Sequence, residues 1–248
     1  MNVVFLGTNG WYDSPAGNTV CILIDTLDAT ILLDAGSGLS KADRHFSPEK
    51  PVHLFLSHLH LDHIIGLHVL NKFDLPAGLT IHCRKGDLEP LQTVIGPPYS
   101  LPFSALPYPV RFIEHDGQSV DLGGFTVHTA SMRHSVPTIG FRIEKDGKSV
   151  AYCPDTGYCA TAIELAQHAD LLIAECAFRP GEESEHWPHL NPETAAKLAF
   201  EAQAKRLVLI HFDAFRYPDM ESRRGAALVA QKIFSEASAT FDDQIIEI

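Results

Sequence analysis

Short apolar runs punctuate this chain, and four of them lead toward a residue able to hold a metal. Val52-His53-Leu54-Phe55-Leu56 runs into Ser57-His58-Leu59-His60-Leu61-Asp62-His63, and Phe125-Thr126-Val127-His128-Thr129-Ala130 leads to His134. Ser149-Val150-Ala151-Tyr152-Cys153 leads to Asp155, and Arg206-Leu207-Val208-Leu209-Ile210 to His211. Runs of this length predict strands, as does Met1-Asn2-Val3-Val4-Phe5-Leu6-Gly7. Helices are predicted over Asn191 to Ala204, with Pro192 in the first turn, over Asp219 to Glu236, and from Ile64-Ile65-Gly66-Leu67 onward. Strands alternating with helices predict an α/β layer architecture, with the ligands at the carboxyl ends of strands, where α/β sites are usually built. No low-complexity linker divides the chain, so residues 1–248 read as one domain with a loose duplication in which each half supplies ligands. Ile95 to Pro109 holds Pro97, Pro98, Pro102, Pro107 and Pro109, too much proline for a helix or central strand. It is either a stiff lid whose Tyr99, Phe103 and Tyr108 stack on substrate, a cover for apolar core, or a dimer contact. Asp13-Ser14-Pro15-Ala16-Gly17-Asn18 is expected to border the same pocket.

The segment from His58 to His63 carries the clearest chemistry. His58, His60 and Asp62 alternate at period two, so in an extended segment they project to one side while His63 turns onto the next element. Such a cluster suits two adjacent metals better than one. Imidazole and carboxylate are borderline-to-hard donors, which fits zinc, manganese or iron. Cys153 and Cys159 flank Asp155 as alternative ligands, though histidine and aspartate already suffice for the site.

Composition narrows the partners. With 19 basic and 31 acidic residues the net charge is −12, and no run of cations marks a nucleic-acid groove. Arg216, Arg223 and Arg224 come closest and read as a solvated helix start. The amino terminus lacks the basic start and apolar centre of a signal peptide, and no stretch approaches the ~20 apolar residues of a membrane span. The five cysteines are an odd number, and Cys21, Cys83, Cys153 and Cys176 sit in apolar, strand-like surroundings that suit buried thiols better than a disulfide frame. A cytoplasmic protein is expected.

With the ligand run and its downstream partners, the chain resembles the metallo-β-lactamase superfamily over nearly its whole length. The resemblance implies a four-layer αββα sandwich with a two-metal site along one edge. His58, His60 and His134 would hold one divalent ion, Asp62, His63 and His211 the other, and Asp155 would bridge them; zinc is the first expectation, with manganese or iron as alternatives. A bridging hydroxide would then be available near neutral pH.

Met132-Arg133-His134-Ser135-Val136-Pro137-Thr138-Ile139-Gly140-Phe141-Arg142-Ile143 is similar to the phosphodiesterase branch, which includes ribonuclease Z and the cyclic ribose-phosphate phosphodiesterase of phosphonate breakdown. Gly7-Thr8-Asn9-Gly10, Leu32-Leu33-Asp34-Ala35-Gly36 and Glu175-Cys176-Ala177-Phe178 with His189 downstream resemble it too. That implies His189 as general acid or phosphate contact, Glu175 as its orienting group, and a second role for Asp62 beside the attacking water. The competing reading of His189 is an ordinary surface loop. Phe141 to Tyr152 runs straight from strand to strand, without motifs and the Gly- and Pro-rich arm found in ribonuclease Z enzymes. A small phosphodiester, cyclic or nucleotide-like, is therefore the expected substrate, and RNA the lesser one. The alternatives are a transfer-RNA 3′ endonuclease without the usual arm, a lactone or thioester hydrolase, and a metal-bearing sensor without turnover. Membrane contact is not expected; a homodimer is.

Overall fold

Continuous apolar runs place apolar side chains on both faces of many strands, such as Thr30–Leu33 and Leu207–Ile210, so each sheet needs cover on two sides. The strands are, in chain order, β1 (Asn2–Gly7), β2 (Asn9–Gly10), β3 (Cys21–Asp25), β4 (Thr30–Leu33), β5 (Val52–Phe55), β6 (Leu79–Arg84), β7 (Val110–His115) and β8 (Val120–Asp121). They continue with β9 (Thr126–Met132), β10 (Thr138–Lys145), β11 (Lys148–Cys153), β12 (Leu171–Glu175), β13 (Leu207–Ile210), β14 (Phe212–Asp213), β15 (Ala237–Ala239) and β16 (Gln244–Glu247). The α-helices are α1 (Leu61–Ile64), α2 (Leu88–Val94), α3 (Ala160–Leu165), α4 (Pro192–Glu201) and α5 (Met220–Gln231). The computed structural model describes all 248 residues.

One sheet has the order β16-β1-β3-β4-β5-β6-β7 and the other β15-β13-β12-β11-β10-β9-β8. In each, four strands pair antiparallel and the series continues with parallel strands, β4 to β7 in the first and β11, β12, β13 and β15 in the second. The loose duplication read from the sequence is thus a repeat of topology. Three apolar clusters separate four layers. Phe5, Leu33 and Phe55 meet Phe141, Tyr152 and Ile210 between the sheets. Leu6, Leu54 and Ile81 pack outward under Leu39 and Leu67, and Ala151 and Leu209 pack outward under Ala196 and Ala226. The architecture is the expected αββα sandwich. No helix is long and apolar enough to cross a membrane.

Helix starts follow local chemistry more closely than helix ends. Asn191 accepts from the Thr194 amide at 2.8 Å while the Thr194 hydroxyl accepts from the Asn191 amide at 2.9 Å, a capping box with Pro192 in the first turn. Asp219 accepts from the Ser222 amide at 2.8 Å and starts α5. Both helices stop earlier than their sequence pattern suggests, at Glu201 and Gln231. The Ile64 segment is one short α-helical turn continued by a 3-10 helix, Ile65–Lys72. β10 and β11 join directly through Asp146 and Gly147, whose φ values of 51° and 73° suit a tight two-residue hairpin.

The proline-rich segment covers apolar core. Ile95, Phe103 and Tyr108 are buried against the outer face of the first sheet, and the Tyr108 hydroxyl donates to the Leu70 carbonyl at 2.7 Å. The lid reading is thereby set aside.

Close backbone contact fixes the helix that comes after β5. The Ala35 amide donates to the His63 carbonyl at 2.8 Å, and the Gly66 amide donates to the Ala35 carbonyl at 2.8 Å. A Cβ on Gly66 would lie 2.1 Å from the Gly36 carbonyl oxygen, so only glycine permits this approach. Gly66→Ala is expected to destabilise the protein by about 2–4 kcal/mol in urea denaturation, since backbone on both sides must move. Wild-type stability in that variant would show that the approach is not required.

Candidate metal centre

Parallel strands of both sheets point their carboxyl ends to one edge, and the chemistry collects there. Asp34 sits just past β4, and the Ser57 to His60 loop just past β5. Asp155 comes after β11, Glu175 ends β12, and His211 lies between β13 and β14. His134 comes from the β9–β10 connection and His189 from the loop before α4. The extended reading of His58, His60 and Asp62 needs correction at its last member. The chain turns at His60 (φ −61°, ψ 145°), and Leu61 opens α1, so Asp62 and His63 are delivered from a helical turn. The backbone bonds of Ala35 to this turn impose the change.

The seven expected ligands form two groups around one carboxylate. Asp155 Oδ1 lies 3.1 Å from both His63 Nε2 and His211 Nε2, while Oδ2 lies 3.9 Å from His58 Nε2 and 3.7 Å from His134 Nε2. His134 Nε2 is 3.4 Å from His60 Nδ1, and Asp62 Oδ2 is 3.2 Å from His211 Nε2. His58, His60, His134 and Asp155 are one set able to hold a cation; Asp62, His63 and His211 are the other. Asp155 and His211 also stand with His189 in a third grouping. His58 Nε2 and Asp155 Oδ1 are buried without a partner in hydrogen-bonding geometry, a costly arrangement unless a cation satisfies them. The donor set fits two divalent ions.

Electrostatics agree. Burial, reinforced by neighbouring His63, holds His58 well below its ordinary pKa, and burial alone leads the lowering at His60 and His134. These imidazoles are neutral, the form a metal requires. Burial opposes charge on Asp62 and Asp155 too, but His63 and His211 draw both carboxylates below the usual range. The reciprocal attraction outweighs burial at His63 and His211 and raises both. Anionic oxygens therefore face this cluster at neutral pH and demand positive charge.

A carboxylate whose role the sequence left unassigned holds the centre from behind. Asp34, wholly buried at φ 57°, accepts from the Ser57 amide and hydroxyl at 2.8 Å each and from Tyr152 Oη at 2.7 Å. It lies 2.8 Å from His63 Nδ1, which fixes that ring and leaves Nε2 facing the other ligands. Its position after β4 corresponds to that of Asp155 after β11, a relation visible only once the sheets are known. Glu175 does similar work for His189. One Glu175 oxygen accepts from the Thr156 amide (2.8 Å) and pairs with His189 Nδ1 (2.6 Å); the other accepts from the Ala177 amide (2.9 Å). Burial works against charge on His189, yet Glu175 beside it moves the imidazole up to about 9.

The centre opens into a cleft of about 670 Å3 lined by His60, Asp155, His189 and His211, with Trp11, Trp187, Phe178 and Arg216 among its walls. Sequence reasoning missed Trp11 and Arg216 as lining groups. The Asp13 to Asn18 loop contributes nothing to the lining; Asp13 instead accepts from the Thr19 amide at 2.8 Å, and Gly10 and Trp11 reach the cleft. Cys153 is buried under Ala162 and Cys159 lies near Thr156 and Thr161, so neither thiol joins the ligands.

Comparison with known proteins bears on this arrangement. The curated protein "Ribonuclease Z" of Exiguobacterium sibiricum is 27% identical over a 306-residue alignment that takes in 100% of this chain and 99% of that one. The metallo-beta-lactamase fold protein YhfI of Bacillus subtilis superposes with a TM-score of 0.82 at 26% identity, covering 100% and 98% of the two chains. The short form of human tRNase Z gives 0.76 at 22% identity, covering 100% and 99%, and speaks to the fold alone. The family model described as "Beta-lactamase superfamily domain" matches residues 29–212, a span that holds Asp34 and every expected ligand, and the chain belongs to that family.

Proposed function

We propose that this protein is a two-metal phosphodiesterase acting on a small phosphodiester, cyclic or nucleotide-like. Its standing as a metal-dependent hydrolase rests on its family and relatives; the bond and the substrate are the proposal. The carrying observation is the His189–Glu175 pair on the cleft wall beside the two ligand groups. His58, His60 and His134 would hold one ion and Asp62, His63 and His211 the other, with Asp155 shared between them. Zinc is the preferred metal on the donor set, and the free thiols suit the cytoplasm. When bound, the two ions would supply Lewis-acid chemistry, lowering the pKa of water and neutralising charge on the phosphate.

The protein's own groups divide the remaining work. Asp34 keeps the His63 ring turned toward its partners. Glu175 holds Nδ1 of His189, which leaves Nε2 to carry a proton to the departing oxygen, the task for which a histidine is suited. A thioester would also use the metals, but its thiolate departs without this second donor.

One observation favours the RNA reading: the curated relative is named for ribonuclease activity. Two weigh against it. A 306-residue alignment cannot be filled by 248 residues, so that relative carries segments this chain lacks, and β10 passes to β11 through a two-residue turn with no room for an arm.

Zinc- or manganese-reloaded protein is expected to hydrolyse bis(p-nitrophenyl) phosphate faster than a lactone or thioester, measured at steady state. A preference for either control would overturn the phosphodiester proposal. On a diester whose leaving group is an unactivated alcohol, His189→Ala should retain both metals by elemental analysis and lose about 10²–10⁴-fold in turnover. Full activity in that variant would remove His189 from the mechanism. Asp34→Asn should weaken metal binding about 10–100-fold in chelator competition, because the group orienting His63 has lost its charge; unchanged affinity would reduce Asp34 to a packing residue.

A further inference from the structure

The chain has two tryptophans, and both line the metal cleft. Trp11 is 65% exposed and Trp187 50% exposed, although indole surface normally seeks burial. Each is tied to a different ligand group. Trp187 stacks on His60, with centroids 5.6 Å apart and planes 14° from parallel, and lies 6.0 Å from the His189 ring. Trp11 belongs to the other ligand group through its backbone, whose amide donates to Asp62 Oδ2 at 2.7 Å.

Trp11 is also held in an unfavourable conformation, φ 70°, rare for a bulky side chain. The preceding residue explains how the chain reaches this position. A Cβ on Gly10 would lie 2.5 to 2.8 Å from the His211 ring, so glycine lets the backbone pass over that ligand and present Trp11 to the cleft. Arg216 completes the far wall. Its Nε is taken by Glu182 at 2.8 Å and its Nη1 by Asp213 at 2.7 Å, so the guanidinium of this lining residue keeps Nη2 free of those pairs.

A phosphodiester centred between two ligand groups sends one substituent toward each end. His189 stands near both His134 and His211, but of the two indoles it is Trp187 that its ring meets, at 6.0 Å, so the departing arm leaves past Trp187 and the retained arm lies toward Trp11. Resting on the phosphodiester reading, we propose that Trp11 and Trp187 form a two-sided clamp that selects diesters whose retained arm carries a flat aromatic group, a nucleobase or aryl ring stacked on Trp11. A bare sugar phosphate offers that indole no planar face.

The test uses two esters with the same leaving group, cleaved by the zinc-loaded enzyme: the p-nitrophenyl ester of thymidine 5′-monophosphate and ethyl p-nitrophenyl phosphate. The nucleoside ester is expected to be favoured about tenfold or more in kcat/KM, the scale of one base stacked on an aromatic side chain. Trp11→Ala should abolish that preference and Trp11→Phe restore part of it, with metal content unchanged, because the bond to Asp62 runs through the backbone. Equal use of both esters by the wild type, or the same preference in Trp11→Ala, overturns the clamp. Loss of metal in Trp11→Ala also overturns it, by making Trp11 a support for Asp62. If neither ester is cleaved by metal-loaded protein, the phosphodiester reading fails, and the clamp is then judged by fluorescence. Thymidine 5′-monophosphate should quench tryptophan emission in the wild type and less in Trp11→Ala; unchanged emission overturns the clamp.

Discussion

Asp155 is a buried carboxylate whose two oxygens face two different sets of imidazoles, and its burial constrains its surroundings. An unpaired carboxylate in such a place costs several kcal/mol or more unless positive charge meets it. The two sheets meet it from both sides: His63 from the first half and His211 from the second bring charge to one oxygen, while neutral His58 and His134 face the other and would meet it through a bound cation. Neither half can complete the centre alone. The face-to-face packing of Phe55, Phe141 and Tyr152 is therefore also what holds the ligand sets in register. Tyr152 links the two roles directly, since its ring lies in the inner core while its hydroxyl bonds Asp34.

A second polar device joins the halves behind the cleft. Arg223 of α5 is wholly buried, stacked over Phe212, and donates from Nη1 to the Thr8 hydroxyl at 2.9 Å and from Nη2 to the Asn9 side chain. Thr8 in turn donates to Asp242 at 2.7 Å, and Lys41 pairs with the same carboxylate at 2.8 Å. The Asn9 amide then reaches the Tyr12 and Gly17 carbonyls at 3.0 and 2.8 Å. Burial brings Arg223 down to about 10, still charged at neutral pH. The loop that presents Trp11 is thus anchored by a cation taken from the far end of the chain. In the sequence Arg223 reads as part of a solvated helix start, because nothing local reveals that α5 turns this residue inward.

The strands and the convergence of the His and Asp residues at their ends were legible because each carries its own signal: an apolar run with a donor at its end. The starts of α4 and α5 were legible for the same local reason, through Asn191, Pro192 and Asp219. What the sequence withheld depends on pairing between distant segments. Asp34 closes a strand that reads as ordinary, and its partners Ser57, His63 and Tyr152 converge only when the sheets meet. The helical turn at Leu61 arises from bonds to Ala35, so period-two spacing alone misplaced Asp62. Phe103 and Tyr108 looked equally apt as lid or core, and their burial chose core. Trp11 escaped notice because its importance lies in a backbone angle and in the glycine before it, neither of which composition expresses.

The charge balance fits a small substrate better than a polyanion. Net charge −12 disfavours a long polyanion, and no run of cations in the sequence offsets it. A single phosphodiester experiences a different field. At physiological salt, exposed charges beyond about 8 Å are largely screened, so a small anion inside the cleft responds mainly to groups within a few ångströms. On the proposed reading it meets ring nitrogens, Arg216 and two divalent cations there. The same chain can therefore be unattractive to an RNA backbone and favourable to one phosphate, with the aromatic walls adding grip that salt does not screen.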